Sequence, residues 1–139
     1  MRHLVLDTNV LLDILGNRQP HAAAAIVLLQ RAEAGTLRLS ASALGWTTAF
    51  YVLRKLLTPA RARRVLRDLH RHVDILDDPA AAVAEALEAG GESDFEDAVQ
   101  WRIAARHGAD AFLTRDRRGF RRAGLPVLSP AEWLAGETG

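Results

Sequence analysis

The chain contains no cysteine, which excludes disulfides, zinc–thiolate sites and thiol nucleophiles. It has no apolar run of about 18 residues, so no segment reads as a membrane span. No basic opening followed by an apolar stretch marks a secretory leader, because Asp7 interrupts the first apolar run at once. Net charge is only +1 at pH 7, so no overall basic surface announces nucleic acid. Lysine is nearly absent: Lys55 stands alone against seventeen arginines. Arginine suits bidentate contact with phosphate, although biased codon usage yields the same composition. The five histidines are scattered without ligand spacing. No internal repeat and no low-complexity linker is visible. At 139 residues, a single domain spanning 1–139 is expected, large enough to bury a core without staples. A cytoplasmic location is the default expectation.

What is present is an alternation of short apolar runs and helical patterns. Residues 3–6, 37–40, 73–76, 111–114 and 126–128 read as strands. Residues 21–34 read as a helix closed by Gly35, and another helix covers roughly 43–57. Thr58-Pro59 and Asp78-Pro79 each place a cap residue before a proline at the first helical position, predicting helices to about His70 and over about 79–89. Ser93 and Glu96 form a capping box for a helix to about His107, with Gly108 at its stop. Ser129 and Glu132 repeat that box for a terminal helix. Strand–helix alternation with nearly continuous apolar strands argues for an α/β fold with a parallel sheet covered on both faces. In such sheets, ligands bind beyond the carboxyl ends of the strands.

Four aspartates fall where that mouth would lie. Asp7 and Asp116 follow apolar runs, and Asp94 and Asp97 open a helix on one shared face. Each has an ordinary explanation. Acids in a first helical turn are favoured by about 0.3–1 kcal/mol through the helix dipole. Asp7 could cap a helix starting near Val10, and Asp116 could cap one through Arg117–Arg122. Together, converged carboxylates repel one another unless a cation lies between them. Oxygen donors without histidine or cysteine suit Mg²⁺ or Mn²⁺. Such an ion lowers the pKa of a bound water and offsets charge on a scissile phosphate; two ions would clamp the attacking and leaving oxygens. Thr8, Asn9 and Thr114 adjoin these acids and suit the role of orienting carboxylates or water, with turn and cap chemistry as the alternative.

The segments Leu-Asp-Thr-Asn-Val-Leu-Leu-Asp at 6–13, Asp-Phe-Glu-Asp-Ala-Val at 94–99, Leu-Thr-Arg-Asp at 113–116 and the closing Leu-Pro-Val-Leu-Ser-Pro at 125–130 resemble the PIN-domain family. The likeness is strongest to VapC-type toxins of bacterial toxin–antitoxin pairs, and it spans nearly the whole chain in order. It implies a Rossmann-like three-layer α/β/α sandwich with a central, mainly parallel sheet, and Mg²⁺- or Mn²⁺-dependent cleavage of RNA. Asp7, Asp97 and Asp116 match the first, third and fourth family acids, Asp94 an accessory acid, and Thr114 the hydroxyl residue of the late motif. An antitoxin protein and a homodimer are the implied partners, with no membrane. The resemblance also exposes a departure. The family's glutamate, in the helix after the second strand, falls at Thr48, and no acid occurs between Thr36 and Lys55. Gly119-Phe120 stands where an Asp-Phe pair is common.

Arg115, Arg117 and Arg118 beside Asp116 would form a basic rim for RNA phosphates; a solvated surface in an arginine-rich protein is the alternative. Trp46, Phe50 and Tyr51 are either core or an exposed patch for a partner helix, and the resemblance favours the interface. Phe95 and Trp101 are expected in the core. The leading function is a metal-dependent endoribonuclease, with a PIN-like module that only binds RNA or protein as the alternative. A phosphotransfer enzyme would want an aspartate at Asn9, and a receiver domain a late lysine; neither is present.

Overall fold

A computed structural model describes residues 1–89, 94–116 and 124–138. The elements run β1 (His3–Leu6), α1 (Thr8–Gly16), α2 (Ala22–Glu33), β2 (Arg38–Ser42), α3 (Ala43–Leu53), α4 (Pro59–His70), β3 (Val73–Leu76), α5 (Ala80–Glu88), α6 (Phe95–Arg106), β4 (Ala111–Leu113), β5 (Val127–Leu128) and α7 (Pro130–Thr138). The strands form one five-stranded sheet in the order β3-β2-β1-β4-β5. Every neighbouring pair is parallel, with Leu6 opposite Leu113 and Val5 opposite both Ser40 and Phe112. No described helix is long and apolar enough to cross a membrane.

The period of two along the strands divides the core between the two faces. Leu4 and Leu6 of β1 pack with Ala111 and Leu113 of β4 and with residues of α1, α2, α3, α4 and α7. Val5 and Phe112 turn the other way, onto α5 and α6. Burying both faces explains why β1 carries no alternating polar residue in Leu4–Leu6. It also makes the architecture the three-layer α/β/α sandwich expected from the sequence.

The capping signals were mostly obeyed. Thr58 accepts from the amide of Arg61 at 3.2 Å, with Pro59 in the first turn. Ser129 and Glu132 bond each other's amides at 3.1 and 2.9 Å. Gly35 and Gly108 take positive φ (78° and 68°) after α2 and α6, a conformation that a Cβ disfavours. Two start signals differ. Pro79 itself is the cap of α5, without a side-chain bond, because the Asp78 carboxylate faces the amides of Ala43 and Leu44 at the start of α3 instead. For α6 the cap is Asp94, whose Oδ1 accepts from the amide of Asp97 at 3.0 Å; Ser93 lies outside the described residues. The strand expected at 37–40 runs 38–42, and α3 ends at Leu53 in a turn.

The aromatic residues also separate. Trp46 is buried, edge-on to His70, with Nε1 donating to the carbonyl of Asp74 at 3.3 Å. It belongs to the core and not to an exposed patch. Tyr51 is exposed under the guanidinium of Arg54. Phe95 is 51% exposed, against the core placement expected, because it is the first residue of α6 and precedes the turn that meets the sheet.

Candidate metal centre

β1 lies between β2 and β4, so the chain leaves three adjacent parallel strands at one edge. Asp7 is the first residue past β1. Its amide donates to the carbonyl of Leu113 at 2.9 Å, extending the β1–β4 pairing by one residue. Its carboxylate is buried and held at both oxygens: Oδ1 accepts from the amide of Thr8 at 2.8 Å, and Oδ2 from the hydroxyl of Thr114 at 2.7 Å. Thr114 Oγ1 also accepts from the amide of Asp116 at 3.3 Å. One buried hydroxyl therefore links the acids that follow β1 and β4. Asp7 also caps α1, which starts at Thr8 and not near Val10.

The acids of α6 approach the same edge. Burial raises the Asp97 carboxyl to about 7, and the charges of Asp94, Asp7, Glu96 and Asp116 push in the same direction. Asp7 is likewise raised, first by burial; the bonds from Thr114 and Thr8 oppose this, and the charges of Glu96 and Asp94 add to it. All four aspartates singled out by sequence thus act on one electrostatic centre. Glu96 joins them as a fifth acid that the sequence reading had assigned only to a capping box. Asp94 is exposed and commits one oxygen to its cap; Asp116 is exposed at the rim.

Behind the acids lies a polar network that sequence reasoning missed. Gln100, one turn beyond Glu96 and 1% exposed, donates from Nε2 to Thr8 Oγ1 at 3.1 Å and to Glu96 Oε1 at 3.4 Å. Its Oε1 accepts from Ser42 Oγ at 3.2 Å, and Ser42 Oγ accepts from the amide of Gly45 at 3.0 Å. The network joins α1, β2, α3 and α6. A Cβ on Gly45 would stand 3.4 Å from Thr8 Oγ1, so α3 approaches Thr8 closely there. Thr48 is half-buried one turn farther along α3. Asn9 is exposed on the first turn of α1.

Arg115 has an internal partner. Its Nε lies 2.8 Å from Oδ2 of Asp13, a carboxylate 1% exposed in α1. Arg18 Nε pairs with the other oxygen at 3.0 Å without hydrogen-bond alignment. Arg117 and Arg118 lie outside the described residues.

The donors suit a hard divalent cation: all are carboxylate or hydroxyl oxygens, and their charges repel one another as placed. Among the described residues no three acidic, histidine or cysteine side chains are already gathered at ligand distance around one point. The exposed carboxylates of Asp94 and Asp116 would turn inward to close on an ion.

Parallel strands in this order, helices on both faces and carboxylates beyond β1 and β4 define a Rossmann-like α/β/α sandwich with an acidic mouth. The chain belongs to the PIN domain family, whose model matches residues 3–118. No curated protein matches the sequence. Among solved structures it is similar to DNA-bound VapBC from Salmonella typhimurium (TM-score 0.70, 18% identity, 94% of this chain and 99% of that chain). It is also similar to a toxin–antitoxin complex from Klebsiella pneumoniae (0.64, 25%, 91% and 97%). A third is the sarcin–ricin-loop-cleaving toxin VapC20 of Mycobacterium tuberculosis (0.64, 16%, 88% and 95%).

Proposed function

We propose that the chain, as one PIN-like unit over 1–139, is a metal-dependent endoribonuclease and the toxin of a toxin–antitoxin pair. The observation that carries this reading is the buried Asp7, held at both oxygens, facing a set of mutually repelling carboxylates on α6 and after β4. Asp7, Asp97 and Asp116, with Asp94, would hold Mg²⁺ or Mn²⁺. The ion would supply an electrophile that lowers the pKa of water and offsets phosphate charge. Thr114 fixes the direction of Asp7 and ties the Asp116 backbone to it; Thr8 fixes the other Asp7 oxygen. Water oxygen forms the new bond to phosphorus, the P–O bond to one nucleotide breaks, and the leaving oxygen takes up a proton.

The toxin–antitoxin complex of the Klebsiella relative and the VapBC complex of the Salmonella relative support an antitoxin protein as the partner. RNA as substrate is supported by the RNA-cleaving Mycobacterium relative. A cytoplasmic site of action fits an RNA target. The test is cleavage of mixed RNA with and without Mn²⁺. Asp97→Asn is expected to abolish metal-dependent cleavage while the far-UV spectrum is retained; full activity in that variant would overturn the assignment. The neutral Thr48 favours a second reading, a module that binds RNA or a partner protein without cutting. Absence of Mn²⁺ uptake at millimolar concentration would select it.

A further inference from the structure

We infer that Glu96 supplies to the cation site the carboxylate that α3 omits, with Gln100 as the residue that holds it there. This rests on reading the acidic mouth as a metal site, and it assigns a role to a side chain outside the set Asp7, Asp94, Asp97 and Asp116.

The orientation of Gln100 follows from its partners. Glu96 Oε1 can only accept, so the Gln100 atom that faces it must be the amide nitrogen, and the amide oxygen then faces Ser42, whose hydroxyl donates to it. The amide nitrogen then faces away from β2. Its two protons go to Thr8 Oγ1 and Glu96 Oε1. Thr8 in turn donates its backbone amide to Asp7. Glu96 is thereby connected to Asp7 through Gln100 and Thr8, and its charge acts on both Asp7 and Asp97. Residues 96 and 100 are one turn apart on the same face, so the contact requires no distortion of α6.

A glutamate serving only the helix dipole would extend into water. Glu96 instead is half-buried and bonded to a side chain that is itself 1% exposed. Four bonded groups, from Gly45 to Glu96, are arranged so that a neutral amide points at this carboxylate, while α3 approaches Thr8 at Gly45, which carries no side chain. The carboxylate therefore reaches the mouth from α6.

Mn²⁺ titration calorimetry and metal-free thermal melting of the full chain test this. Glu96→Gln keeps the acceptor for Gln100 and removes the charge. Its Mn²⁺ affinity is expected to fall roughly ten- to hundredfold, the effect typical of losing a group that supports a metal site. Its metal-free melting temperature is expected to hold or rise, since a repelling charge is gone. Gln100→Met, which leaves Glu96 untethered, is expected to weaken binding in the same direction. Unchanged affinity in Glu96→Gln, alongside loss of binding in Asp97→Asn, overturns the role of Glu96 and leaves the metal site standing. Lower metal-free stability with unchanged affinity gives Glu96 a structural task and overturns it as well. No Mn²⁺ uptake by the unaltered protein overturns both readings.

Discussion

Asp7 has both carboxylate oxygens fixed by neighbours, and the cost of losing one can be stated. Thr114→Val keeps the shape of the side chain but deletes the hydroxyl that serves Asp7 Oδ2 and the Asp116 amide. Leaving a buried acceptor unpaired costs about 1–3 kcal/mol, which urea denaturation would register. Mn²⁺ affinity should fall by roughly ten- to hundredfold in calorimetry. Asp97 makes a prediction in pH. Its ordinary pKa of 3.8 rises to about 7 in the folded chain, so between those values the folded state keeps a proton that the unfolded state releases. Without metal, stability should therefore fall as pH rises through that window and stay lower above it; Asp7 shifts the same way. Chemical denaturation at pH 5 and pH 8 checks the sign, and Asp97→Asn should flatten the slope. At this scale the aspartates and Thr114 were legible, because each sits beside a strand end or helix start in the chain. Gln100 was not: in one dimension it is an ordinary polar residue inside a helix, and only burial shows that its amide must be satisfied.

Between elements, Asp13 ties α1 to the segment after β4. Adjacency to Asp116 had suggested phosphate contact for Arg115, yet its guanidinium is paired with a buried carboxylate a hundred residues earlier in the chain. This pairing restrains the backbone that carries Asp116. The double change Arg18→Ala with Arg115→Ala would leave Asp13 buried and unpaired, a situation that costs about 3–5 kcal/mol. Each single change should cost much less, since the other guanidinium remains, and denaturant melts of the three variants would show the non-additivity. An additive result would mean that the two arginines do not share Asp13. The start of α6 shows why capping patterns mislead by a residue or so. Ser93 and Asp94 both suit a cap, and sequence spacing favoured Ser93 because Glu96 lay three residues on. In the fold Asp94 takes the cap, and Glu96 turns to Gln100.

For the whole molecule, the proposed metal site makes a prediction about folding. A ligand that binds only the folded state at about a hundred times its Kd adds about 2.7 kcal/mol. Saturating Mn²⁺ should raise the melting temperature of the unaltered chain accordingly and leave Asp97→Asn unmoved. A shift of equal size in both would place the ion elsewhere.

The sequence by itself determined the layers, since strands apolar on both faces can be buried only between helices, and it marked the acids because each sits at a strand's end or a helix start. The order β3-β2-β1-β4-β5 was decided only in three dimensions. That order sets β1 beside β4, joins Asp7 to Thr114 by a 2.7 Å bond, and brings Glu96 and Gln100 of α6 to Thr8 of α1. Hydrogen bonds across about a hundred residues depend on which strands are neighbours, and no local pattern carries that information.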